Sequence, residues 1–167
     1  ANVAPIDLAV GTSGAGHPVA TLDVPSGTHS GSGYILSRAE VAGTANKDGV
    51  TKTFDWVFDQ KTVYTACETS TDVPDGGDGN FEITVHGDHF FFDSLVSEEP
   101  QVLFQALADA DQDGDGVIAR SELEGAGLGA YDPGSSGDIN NLWAYLVAQS
   151  SNLGHVDGEG HCEPSAE

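Results

Sequence analysis

The chain has 167 residues, enough for one domain with a buried core, or one domain with a small appendage. With 38% hydrophobic and 19% charged residues it is neither a disordered polyampholyte nor a membrane protein, and its 22 glycines suit a loop-rich β protein better than a helical bundle. The formal charge of −22 is lopsided: residues 1–66 hold six acids (Asp7, Asp23, Glu40, Asp48, Asp55, Asp59) against Arg38, Lys47, Lys52 and Lys61, while the other 21 acids face Arg120 alone. Such a field repels phosphate backbones and anionic lipid heads, so nucleic acid and membrane surfaces are poor partners, and it attracts multivalent cations.

No apolar run reaches 18 residues, so no transmembrane segment is expected. The chain lacks methionine and starts Ala1-Asn2-Val3, which reads as a mature product whose leader has been removed. Cys67 and Cys162 fit one disulfide in an oxidising compartment; two separate buried thiols are the alternative. These features predict a secreted protein, extracellular or periplasmic.

In chain order, Val3 to Val10 reads as an apolar strand, and Val19 to Val24 as a second strand before the Pro25-Ser26-Gly27 turn. Gly33 to Leu36 follows a Gly/Ser break. Lys47-Asp48-Gly49 signals a hairpin turn between Glu40-Val41-Ala42 and Lys52-Thr53-Phe54. Phe54, Trp56 and Phe58 alternate with Asp55, Val57 and Asp59, the period of a strand with one buried face. Thr62 to Cys67 is rich in β-formers, and Phe81, Ile83 and Val85 alternate again. Short strands separated by turn residues predict a β-sandwich over residues 1–93. From 94 to 154 the pattern turns helical: Ser97 caps a helix running through Val102, Leu103, Ala106, Leu107 and Ala110, and a second starts near Asp138 and stops at Gly154. Residues 155–167 form a tail tethered by the disulfide, the three parts making one compact unit.

Between the two helices, Asp111-Gln112-Asp113-Gly114-Asp115-Gly116-Val117-Ile118-Ala119-Arg120-Ser121-Glu122 carries carboxylates at alternate positions, a glycine, an apolar residue two later and a closing glutamate. This run resembles the EF-hand calcium loop at each diagnostic position. The resemblance implies that Asp111, Asp113 and Asp115 each give a carboxylate oxygen, Val117 its backbone carbonyl and Glu122 both oxygens to one calcium ion. It further implies that Gly116 takes the sharp turn and that Ile118 anchors the loop to the core. Ala119 departs from the usual oxygen-bearing residue at the ninth position, where a water would fill in. EF-hands usually pair, and the nearest second loop, Asp132 to Trp143, lacks a closing glutamate; it reads as a degenerate partner whose backbone pairs with Val117-Ile118. Asp72 to Asn80 is another acidic glycine turn, a solvated hairpin loop or a second calcium site.

Two histidine segments stand out, Val85 to Phe90 and Gly154 to Cys162. A Cys67–Cys162 bond would bring His161 toward His86 and His89, a set suited to copper or zinc. In a strand, His86 and His89 point to opposite faces, unless a bulge at Gly87 brings them together. The other reading is that these histidines hydrogen-bond backbone and carboxylates where the tail docks. Thr84 to His89 and Gly158 to Cys162 also resemble segments of secreted bacterial proteins of unassigned function, which implies no activity.

Neither Gly11-Thr12-Ser13-Gly14 nor Ser30-Gly31-Ser32-Gly33 makes a nucleophile elbow, no phosphate loop is present, and His17 and His29 read as surface residues. The sequence therefore predicts a secreted, non-enzymatic, calcium-binding structural protein that self-associates into a calcium-stabilised extracellular assembly or filament. The alternative is a periplasmic or secreted copper- or zinc-binding protein using His86, His89 and His161.

Overall fold

The computed structural model describes residues 3–166. Its strands are short: β1 Gly27–Ser30, β2 Tyr34–Leu36, β3 Ala39–Lys47, β4 Val50–Phe58, β5 Thr62–Thr65, β6 Ser70–Val73, β7 Ile83–Val85, β8 Gly154–Val156 and β9 Glu163–Ala166. Three short α-helices, α1 Gln105–Ala108, α2 Arg120–Gly125 and α3 Leu142–Gln149, all lie in the C-terminal part. The protein is thus mostly β with a helical C-terminal part. The strands make four small antiparallel sheets, β1-β6, β2-β5-β9, β3-β4 and β7-β8, which do not by themselves define the expected sandwich.

The longest pairing forms where the alternation is strongest. Lys47 and Val50 close the β3–β4 hairpin, and Asp48 and Gly49 between them both have positive φ (53° and 81°). Two left-handed residues match the twist of the flanking strands, and Asp-Gly supplies them at low cost. Along β4 the alternation turns Phe54, Trp56 and Phe58 into the core, while Asp55 faces solvent. There they meet Leu107, Ile118, Leu123, Leu142, Tyr145 and Leu146, so one hydrophobic core joins the β region to the helical region. Phe58 stacks between Phe90 (ring centroids 4.8 Å) and Trp143 (5.0 Å). Tyr64, Cys67 and Val156 form a smaller cluster, where Cys67 and Cys162 are disulfide-bonded. Among the described residues, no helix is long and apolar enough to cross a membrane.

Several local expectations are corrected. Residues 3–26 form no strand, and Val3, Leu8, Val10, Leu22 and Val24 are exposed; two apolar runs read as strands find no partner edge. The helix expected from Ser97 exists only as Gln105–Ala108. Upstream of it the chain is extended and pairs back: Phe92 bridges Val102, Asp93 N–H donates to Gln101 O (2.9 Å) and Leu103 N–H to Phe91 O (2.6 Å). The second helix begins at Leu142 rather than near Asp138. Asn141 caps it, its side-chain oxygen accepting from Ala144 N–H at 2.8 Å.

Candidate metal centres

The acidic loop occupies the passage from α1 to α2. Asp111 Oδ1 accepts from Gly114 N–H (2.9 Å) and Oδ2 from Gly116 N–H (3.2 Å), while Asp113 and Asp115 accept from the N–H groups of Asp115 and Val117 (3.1 and 2.7 Å). These bonds curl the backbone around the carboxylates, and Gly116 takes a φ of 85° that a Cβ would strain. One oxygen from each of Asp111, Asp113 and Asp115 lies within 4.8 Å of the other two. Oxygens bound to one calcium ion at about 2.3–2.6 Å can be no more than about 5 Å apart, so this spacing is within reach of a shared ion. Glu122 spans the loop's ends, Oε1 accepting from Gln112 N–H (2.9 Å) and Oε2 from Ala119 N–H (3.0 Å).

Ile118 is fully buried in the core, as the loop pattern implies. Its pairing partner is not the expected one. Thr53 of β4 donates its N–H to Gly116 O and accepts from Ile118 N–H, both at 2.8 Å, and Trp56 Nε1 donates to Ile118 O (2.9 Å). The segment beginning at Asp132 pairs instead with residues 93–95: Asp132 N–H donates to Asp93 O, and Leu95 N–H to Asp132 O. A β strand takes the place of a second loop because β4 already presents a free backbone edge at Thr53.

Lys52, next to that edge, places Nζ 3.0 Å from Asp111 Oδ2 and 2.6 Å from Ala108 O. The hydrogen bond from Lys52, aided by those from Gly114 and Gly116, holds the Asp111 carboxyl below the usual carboxylate range. Nothing in the loop motif signals this lysine; only the long-range register of β4 brings it there. It offsets repulsion among the three aspartates and opposes a second cation. Lys52→Met is therefore expected to tighten calcium binding by about tenfold while lowering the melting temperature of the calcium-free protein, as read by calorimetry and thermal melts in chelator.

The histidines converge near the disulfide. The 85–90 segment is not a bulged strand: β7 ends at Val85, and a 3-10 turn over Gly87–Phe91 follows, with His89 N–H donating to His86 O. Three residues per turn put His86 and His89 on one side, with ring centroids 5.0 Å apart. His155 of β8, absent from the expected set, packs against both (4.6 Å to His86 and 5.1 Å to His89), and His161 lies 5.5 Å from His155. It sits in the three-residue strand Gly154-His155-Val156, all of which is buried. His155 is brought in by close contacts at Gly154, where a Cβ would come within 2.1 Å of Tyr34 Oη and 2.6 Å of the Tyr64 ring. Burial above all, and then the imidazoles of His86, His89 and His161, lower the His155 pKa. Elsewhere, His17 and His29 hydrogen-bond nearby carbonyls of Val10 and Pro25.

No family model matches the chain, and no curated protein or solved structure is significantly similar to it. The likeness of residues 111–122 to an EF-hand loop rests on the loop itself.

Proposed function

We propose that this protein is a secreted, non-enzymatic, calcium-binding structural protein whose EF-hand-type loop, Asp111 to Glu122, ties the helical region to the β region. The observation that carries this reading is the convergence of Asp111, Asp113 and Asp115 oxygens within 4.8 Å on a loop whose backbone is bonded to β4. Calcium held there would clamp three things at once: the end of α1, the Thr53 pairing and the start of α2. Its ligands are the three aspartates, the Val117 carbonyl and both oxygens of Glu122, with water at the Ala119 position. Export agrees with the Cys67–Cys162 disulfide.

An affinity of about 10⁻⁴ M, ordinary for extracellular sites, makes millimolar calcium worth roughly 1–3 kcal/mol of stability. For a chain of this size that raises the melting temperature by about 3–10 °C. A calorimetric calcium titration, paired with melts in calcium and in chelator, tests the reading. One site per chain and a calcium-dependent melting shift support it; no heat and coincident melts reject it.

Self-association extends the proposal. Residues 3–24 carry Val3, Leu8, Val10, Val19, Leu22 and Val24 exposed and outside every sheet, a segment suited to adding to the open edge of a second copy. Gel filtration with and without chelator decides this, and a monomer in both conditions removes it.

A further inference from the structure

We propose that His86, His89, His155 and His161 form a binding site for one borderline transition-metal ion, copper(II) or zinc(II), separate from the calcium loop. The His86, His89 and His155 rings meet here and His161 lies against His155, although the four come from three elements: the turn after β7, strand β8 and the segment leading to Cys162. Three of their nitrogens are in a state that fits coordination.

His155 is more than nine-tenths buried, and its Nδ1 has no hydrogen-bond partner. A buried ring nitrogen left unpaired is costly, and folded proteins rarely leave one so. His89 has the complementary arrangement. Its Nδ1 donates to Asn152 O at 2.7 Å, which fixes the tautomer and leaves the Nε2 lone pair free. Metal-bound histidines characteristically hold their second nitrogen in this way. His86 Nε2 donates to Gly158 O (3.2 Å), leaving the lone pair on Nδ1.

The spacing agrees. A metal about 2.0–2.1 Å from a ring nitrogen lies about 3.2 Å from that ring's centre, so tetrahedrally placed imidazoles have centres about 5.2 Å apart. His86, His89 and His155 make a triangle with sides of 5.0, 4.6 and 5.1 Å. Carboxylates stand at its edge. An Asp88 oxygen lies 4.0 Å from His86 Nδ1, the nitrogen that keeps its lone pair, and a Glu159 oxygen lies 3.9 Å from Nε2, on the side that faces Gly158 O. A cleft of about 450 Å³, lined in part by His89, His155, His161 and Glu159, gives an ion access.

The scaffold holds the group before any metal arrives. β7 pairs with β8 through Thr84 and His155, His86 N–H donates to Leu153 O (2.8 Å), and the disulfide fixes Cys162 beside His161. His161 is further held by its N–H to Glu68 Oε2 (3.1 Å) and by its carbonyl, which accepts from Glu68 N–H (2.8 Å). Imidazole nitrogens select copper and zinc over calcium and magnesium, which prefer oxygen, and copper(II) binds such a set more tightly than zinc(II).

The test uses the full chain without a histidine tag, stripped with chelator and then titrated with copper(II) or zinc(II) alone. The expected result is one ion per chain with submicromolar affinity, nitrogen hyperfine structure in the copper spectrum, and a melting temperature raised by the metal. His89→Ala should weaken binding at least tenfold, and His161→Ala, at an exposed position, should weaken it with the fold intact. Asp113→Asn should leave it unchanged, which separates this site from the calcium loop. Failure to retain either metal overturns the proposal, as does binding that survives both His89→Ala and His161→Ala.

Discussion

Joint replacement of the cysteines, Cys67→Ser with Cys162→Ser, is expected to destabilise the protein by about 4 kcal/mol and to lower its melting temperature by about 10 °C or more. The two residues are 95 positions apart, so the bond closes a loop containing α1, the acidic loop, α2 and α3. In the chain-entropy model a loop of that length is worth about 4–5 kcal/mol. The bond also has a local task. Cys67 is buried with Tyr64 and Val156, and Cys162 precedes β9, which pairs with β5 from Glu163 to Ala166. Without the covalent tie, the four-residue edge strand and the hydrogen bonds between Glu68 and His161 must hold the C-terminal segment. Urea unfolding of the double variant measures the effect, and a loss below about 1 kcal/mol would show that pairing of β5 with β9 suffices.

The second large effect concerns Glu122. Glu122→Gln is expected to reduce calcium affinity on the order of 100-fold while leaving the fold in place. The substitution removes one charge and replaces an accepting oxygen by a donating amide. In the wild-type loop both Glu122 oxygens accept backbone N–H groups, those of Gln112 and Ala119. The amide can serve only one of them, at a cost of about 1 kcal/mol in the calcium-free state. Stability in chelator should therefore move little, whereas the gain on adding calcium should vanish up to millimolar concentrations. Paired melts of the variant and wild type separate these two quantities. An unchanged calcium shift would remove Glu122 from the ligand set.

What could be read from the sequence is what local chemistry decides. Phe54, Trp56 and Phe58 alternate in sequence and are buried in the structure; Asp48-Gly49 specifies its turn by φ alone. The acidic loop's glycines and aspartates make their bonds within a few residues, so spacing is enough to find them. Long-range pairing is what spacing missed. Val102 and Leu103 fit a helical stripe, yet the same residues serve an extended segment once residues 91–93 offer partners. The same is true of Thr53, whose backbone takes the pairing that a second loop was expected to make, and of Lys52, which reaches Asp111 only because of it.

The histidine cluster shows both sides. His86, His89 and His161 stood out by residue type, and His161, next to the disulfide-bonded Cys162, has its ring 5.5 Å from that of His155. The device joining His86 to His89 is a 3-10 turn, not a bulge, because the strand ends at Val85. His155 lies within the Gly154 to Cys162 segment that the sequence singles out, but only the β7–β8 register sets it against His86 and His89, with His161 beside it.

The most direct measurement is a crystal structure of the protein grown in millimolar calcium. Oxygens of Asp111, Asp113, Asp115, Val117 and Glu122 should surround a single density peak at about 2.3–2.6 Å, with Lys52 Nζ withdrawn from Asp111. An empty centre, with the carboxylates turned to solvent and Lys52 still paired to Asp111, would contradict the account.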